Sequence, residues 1–395
     1  MVALALSLVA LLVPATARAA DAGTDSIDVI AGGSGIAAGA PDGSGVDVAL
    51  IDSGVVPIGS LAAPGRVIQG PDFSSERRDR RLATLDTFGH GTHLAGVIAA
   101  AAPGARIVSL KVAEADGTTS LAQVLAAMDW VRRNKDANGL KIRVVNLSLG
   151  VEDTGGYKND VLAWAVEQLW QEGIAVVAAA GNNGAHANRL DIPAADPFVI
   201  AAGATDTKDT VSPADDRVAE FSSRSRYRSP DLVAPGTRIV SLRVPGSALD
   251  LEYPEARVGS TYFRGSGTSQ AAAVVSGVAA RLLSARPWLS PDQLKAVLVA
   301  GAVDLPDPRD ADGAGRVDLS RSLAARVPNT YEARQGWEPA RPSPRSIARA
   351  FVDPDEYEAG DAEWAGRRWS GRRWSGRRWS GRRWSGASWI DVSIG

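Results

Sequence analysis

Between residue 46 and about residue 325, short runs of β-branched and other apolar residues alternate with longer amphipathic stretches. The apolar runs at 46–51, 106–112, 143–147, 175–179, 199–202 and 232–234 predict strands. The stretches at 90–101, 120–133, 160–171, 269–285 and 290–300 predict helices, with Ser120 and the Ser290-Pro291 pair as helix starts. Strands that read as nearly continuous apolar runs, separated by helices, belong to a parallel sheet covered on both faces. The expected fold is therefore α/β, a three-layer αβα sandwich with a mainly parallel sheet. In such sheets functional residues gather at the carboxyl ends of the strands and at the helix starts that follow.

The flanks have a different texture. Residues 2–13 are apolar except for Ser7, and Ala17-Arg18-Ala19 supplies a small-residue cleavage pattern. This predicts a signal peptide over 1–19 and a chain that is secreted or held at the cell surface. No basic residue precedes the apolar run, and only about 30 residues separate the cleavage pattern from Asp52, too few for a folding pro-domain. A reading frame that starts too late would account for both.

After the N-terminal segment 20–45 and the domain at 46–325, the periodicity is lost over 326–363, which reads as a linker with an acidic patch. That patch is made by Asp353, Asp355, Glu356, Glu358, Asp361 and Glu363. Over 364–389 a Trp recurs every five residues, with four copies of Gly-Arg-Arg-Trp-Ser. A period of five matches neither a helix nor a strand, so this is expected to be a disordered repeat tail. Its arginines and amphipathic rings suit an anionic membrane or cell-wall polymer. A secreted chain is kept away from nucleic acid, so none is expected as a partner; another reading makes the tail a peptide precursor.

Composition narrows the chemistry. The 395 residues include no Cys and three His, which excludes disulfides, a thiol nucleophile and thiolate metal sites. What remains is hydroxyls, carboxylates and a few imidazoles. The net charge of −2 conceals a tail with eight Arg attached to an acidic body.

Four segments then draw attention together. Val46 to Gly54 is an apolar strand that ends in Asp52 before a glycine turn. Gly89-His90-Gly91-Thr92-His93 opens a helical run. Val176 to Gly184 is a buried strand that ends in the amide-rich turn Gly181-Asn182-Asn183. Gly265-Ser266-Gly267-Thr268-Ser269 places a serine at the start of a helix of small residues. Singly, each of these residues is more often a helix cap or turn former. Together, in this order, they resemble the subtilisin-like serine proteases over about residues 46–325, and Asn146-Leu147-Ser148-Leu149-Gly150 adds to the resemblance.

The resemblance implies a triad of Asp52, His90 and Ser269. A serine hydroxyl needs a base, and His90 is the best placed of the three imidazoles. Asp52 would orient the ring, and Asn182 would donate to the oxyanion together with the Ser269 N–H. His93 is read as structural and His186 as a surface residue. The family binds substrate as an added strand, which implies Ser148, Leu149 and Gly150 as the edge and Ala179, Ala180 and Gly181 as small pocket walls. No charge is evident at that pocket, so an apolar or medium-sized residue is expected on the acyl side of the scissile bond (P1).

After Ser269 the chain reads Gln270-Ala271-Ala272-Ala273, which departs from the family's usual Met, Ala, any residue and Pro. None of these positions transfers a proton. No cofactor is required for the chemistry, a structural calcium is left unassigned, and the expected partner of a monomeric enzyme is a polypeptide substrate. The rival reading is a non-catalytic binding protein on the same fold.

Overall fold

Strand β1 (Asp47–Asp52) lies near the middle of an eight-stranded sheet of order β2-β3-β1-β4-β5-β6-β7, with β8 also paired to β6. The computed structural model describes residues 29–350 apart from 152, 154, 187, 209, 211, 212 and 335. The signal peptide, the acidic patch and the Trp/Arg repeat predicted from the sequence all lie outside the described residues.

The strands are β2 (Val67–Asp72), β3 (Arg106–Lys111), β4 (Ile142–Leu147), β5 (Ala175–Ala179), β6 (Ile200–Asp206), β7 (Arg217–Val218) and β8 (Leu232–Pro235). All pairings are parallel except β6 with the two-residue β7. Alternate residues of β1 enter different cores: Val48 and Leu50 join one apolar cluster, Ala49 and Ile51 the other. This is why the strand reads as a continuous apolar run.

Helices α1 (His90–Ala101), α4 (Thr268–Ala285) and α5 (Pro291–Gly301) contribute to the first cluster, and α2 (Leu121–Asn134) and α3 (Val161–Gln171) to the second. The result is the mainly parallel αβα sandwich that the pattern predicts. Ser120 and Ser290 cap α2 and α5 through reciprocal bonds with Gln123 and Gln293, and Asp160 caps α3. Helices α1 and α4 approach so closely that a Cβ on Gly277 would fall 2.4 Å from that of Ala101.

The strands without a sequence signal are short or half-buried. They are β2, β7 and the small antiparallel sheet of β9 (Ile239–Leu242), β10 (Arg257–Val258) and β11 (Tyr262–Gly265). Strand β6 also runs past the predicted residue 202 to Asp206, through small and polar residues that pair with β7 and β8.

Residues 329–350 lie against the domain. The ring of Trp337 meets Trp170 and Phe198 edge-on, Arg334 Nε donates to Asp292 Oδ1 at 2.8 Å, and Ala340 N–H donates to buried Glu167. Glu167 and its neighbour Asp196 are both pushed upward, chiefly by burial, Asp196 to about 8.

Candidate active site

Asp52 closes β1 at the carboxyl edge of the sheet, where its side chain is buried. His90 opens α1, preceded by Gly89 in a left-handed conformation with φ 103°. The ring Nδ1 of His90 lies 2.7 and 2.9 Å from the two oxygens of Asp52. Such contact requires the helix start to touch the strand end. A Cβ on Gly91 would fall 2.1 Å from the Gly54 carbonyl oxygen, so only glycine fits there.

Ser53 reinforces the junction. Its N–H donates to Asp52 Oδ1 (2.8 Å), and its Oγ accepts the Gly91 N–H (2.9 Å). The same hydroxyl lies 2.7 Å from Asp86 Oδ1 and 3.2 Å from Asp52 Oδ1.

Asp86 was not singled out from the sequence. It accepts the N–H groups of Gly89 (2.6 Å) and Thr92 (2.7 Å), which bracket His90. Burial pushes its carboxyl above the usual range, while the donors at Thr92, Gly89 and Ser53 pull it back. The available signal was positional: an acidic residue just ahead of a predicted helix start caps it. Lys111, at the end of β3, donates to the carbonyls of Ser53 (3.1 Å) and Leu85 (2.6 Å) and pairs with Glu76 at 2.9 Å. His93, one turn along α1, is pushed down to about 3 by burial and by His90, which keeps it neutral. That fits the structural role expected for it.

Ser269 is the second residue of α4 and is also buried. Its Oγ donates to the Ser148 carbonyl at 3.3 Å, and Ser148 Oγ donates to the Ser269 carbonyl at 3.1 Å. Asn146 Nδ2 donates to Ser148 Oγ, and Ser276 Oγ donates to Asn146 Oδ1, both at 2.9 Å. These bonds stitch the end of β4 to the first turns of α4.

The turn after β5 reaches the same place. Asn182 Oδ1 accepts the Thr268 N–H (2.9 Å) and hydroxyl (3.0 Å), and Gly181 N–H donates to Thr268 Oγ1 (3.2 Å). With its carbonyl oxygen held by Thr268, the Asn182 amide directs its N–H bonds the other way. Asp52 and His90 therefore form one bonded unit, and Ser269, Ser148, Gly181 and Asn182 form another.

The residues expected to line the substrate site divide in role. Leu149 is packed in the core and Ala180 spends both backbone groups, N–H to Ala202 and carbonyl to Asp191, so neither presents its whole surface. Ala179 is buried, and Gly150 is half-buried at the end of the 148–150 segment. Asp191, also missed in the sequence, lies against both Gly150 and Gly181. The backbone returns through 189–192 and brings a carboxylate beside the two glycines.

Residues 43–337 match the profile of the subtilase family of peptidases. The chain belongs to this family. It is 36% identical over 302 residues to the serine protease AprX of Bacillus subtilis (strain 168), an alignment that covers 71% of this chain and 66% of the relative. It is 32% identical over 276 residues to subtilisin DY of Bacillus licheniformis, covering 67% of this chain and 86% of the relative. Among solved structures it resembles fervidolysin from Fervidobacterium pennivorans, described as a keratinolytic enzyme related to subtilisin. That match has a TM-score of 0.59 and 29% identity, and covers 73% of this chain and 44% of that one. A cold-adapted subtilisin-like serine proteinase matches with a TM-score of 0.54 and 31% identity, covering 69% of this chain and 88% of that one. The subtilase chain thus spans slightly under two thirds of AprX and less than half of fervidolysin.

Among the described residues no three His, Asp or Glu side chains are grouped to hold a metal ion, so none is assigned to calcium. No helix among them is long and apolar enough to cross a membrane.

Proposed function

We propose that this subtilase is a secreted serine endopeptidase that cleaves polypeptides through an acyl-enzyme on Ser269. The observation that carries the reading is the bonding of His90 Nδ1 to both oxygens of Asp52, at 2.7 and 2.9 Å. It fixes the ring so that Nε2 serves as the base. On attack, the Ser269 hydroxyl turns from the Ser148 carbonyl to His90 by rotation about one side-chain bond. The serine proton passes to His90 Nε2 as Oγ bonds the substrate carbonyl carbon. The imidazolium then returns that proton to the leaving amine as the C–N bond breaks. Water, activated by the same ring, releases the acyl group and regenerates Ser269.

Charge that builds on the substrate oxygen is met by the Asn182 amide and by the Ser269 N–H, one of the helix-start donors that lack partners within α4. The peptide lies along Ser148–Gly150 as an added strand. The Trp/Arg repeat holds the enzyme to an anionic surface, which comparison of full-length and tail-deleted protein on anionic vesicles would check.

The decisive experiment is labelling by a fluorophosphonate. Wild type is expected to label, and Ser269→Ala and His90→Ala are not. A folded wild type that refuses the probe would favour a non-catalytic binding protein on this fold.

A further inference from the structure

The loop between β2 and α1 carries a cluster of positive charge on an otherwise acidic body. Arg77, Arg78, Arg80 and Arg81 fall within five residues, and all four are exposed. The end of the loop is tied to the site: Asp86 accepts the Gly89 N–H at 2.6 Å, and a Cβ on Gly54 would fall 3.0 Å from the Leu85 carbonyl oxygen.

The loop's own acids are already engaged. Asp72 accepts the N–H groups of Ser74 and Thr84 at 2.8 and 3.0 Å, Glu76 pairs with buried Lys111 at 2.9 Å, and Asp79 pairs with Arg81 at 2.7 Å. Arg77 donates to the carbonyls of Phe73 and Ser74 at 3.1 and 2.9 Å, and neither it nor Arg80 meets an acid among the described residues. The backbone is thus held while the charge it presents lacks a local complement.

That complement is present further along the chain. Residues 353–363, outside the described residues, hold six acids and no Lys or Arg. Their point of departure is fixed, because the helix Pro344–Ala350 packs on α2 and α3 and Ala350 is fully buried in the second cluster. The base of the arginine loop meets the start of α2: Glu114 Oε1 accepts the Ser75 N–H at 2.7 Å and Gln123 Nε2 at 3.1 Å. The 14 residues of α2 span about 21 Å, and the 11 residues of 353–363 reach about 36 Å when extended. The acids can therefore reach the arginines.

We propose that the arginine loop at 77–81 is a docking surface for the acidic segment 353–363 of the same chain. Exposed ion pairs are individually weak, but tethering makes their association intramolecular, at an effective concentration of about millimolar. The loop competes with the adjacent Trp/Arg repeat because its arginines are placed by folded backbone, whereas those of the repeat must be ordered on binding. Docking lays the segment beside the helix start that carries His90. It also leaves the cations of the repeat free for an anionic surface.

The test is a distance measurement by electron spin resonance in the full-length chain. With no native Cys, Leu82→Cys and Gly360→Cys give two unique label sites, and Ser269→Ala in the same chain prevents self-cleavage. A narrow distance distribution is expected in about 0.01 M salt, and a broad one in about 1 M salt, as the Debye length falls from about 30 to about 3 Å. Arg80→Glu with Arg81→Glu should broaden it at low salt. Adding Glu356→Lys and Glu358→Lys should narrow it again, a rescue that damage to the loop would not allow. A broad distribution at low salt with the native arginines, expected if the acids pair with the repeat instead, would overturn the proposal. So would a narrow one that survives the arginine reversal.

Discussion

Asn182 offers the sharpest test of how this site stabilises charge. Its side-chain oxygen is held at 2.9 Å by the Thr268 N–H and at 3.0 Å by the Thr268 hydroxyl. The orientation of the amide is therefore built into the turn before substrate arrives, the condition under which a donor acts on the transition state more than on the ground state. Asn182→Ala should lower kcat by about 10²–10³-fold, equivalent to about 2.7–4 kcal/mol, with KM nearly unchanged. Thr268→Val removes one of the two donors that hold the amide, a bond worth about 1 kcal/mol, and should lower kcat about fivefold. In the Asn182→Ala background the Thr268→Val change should add little, because nothing remains for Thr268 to orient. Steady-state kinetics of the four proteins on one peptide anilide closes the cycle. A rise in KM at constant kcat for Asn182→Ala would refute the argument, as would additive losses in the double variant. Because Asn182→Ala also strips a partner from the Thr268 N–H, rates should be compared well below the unfolding temperature of each variant.

Three further outcomes are expected. Asp86→Asn sets an amide donor against the Gly89 or Thr92 N–H, so it should cost about 1–2 kcal/mol of stability and lower kcat more than it raises KM, read by thermal melts and kinetics; unchanged kcat would separate Asp86 from the positioning of His90. Asp196 keeps its proton in the folded state far above the value of about 3.9 that it has when unfolded, so its contribution to stability is complete below that value and is lost as pH rises through the folded one. The melting temperature should accordingly fall from mildly acidic toward alkaline pH, and Asp196→Asn should flatten that decline; a parallel curve for the variant would count against it. If the enzyme cuts after Arg, purified full-length wild type should shed fragments of its Gly-Arg-Arg-Trp-Ser repeat with Arg at their new carboxyl ends, seen by mass spectrometry, and Ser269→Ala should remain intact.

The parts of this fold that were legible in advance are those for which one physical demand acts on many neighbouring residues. Strand β1 is buried on both faces and announces itself as Val-Ala-Leu-Ile, and α2 and α5 begin at serines whose capping bonds are local in sequence. Asp52, His90, Asn182 and Ser269 stood out as candidates because each sits at an element boundary, where glycines mark the backbone turn that frees a side chain.

Asp86 and Asp191 obey no such local rule. Asp86 matters through bonds to Ser53, Gly89 and Thr92, yet an aspartate in a loop rich in charge has no distinguishing neighbour. Asp191 reaches its place only because Ile192 pairs with Val151, a contact across 41 residues of chain that no periodicity encodes. Gly150 and Gly181 are recognisable as small, but smallness leaves open what fills the space, and here the filling comes from a distant segment. The machinery of a nucleophile is written at strand ends and helix starts. Which returning loop meets those ends depends on tertiary pairing rather than on local pattern.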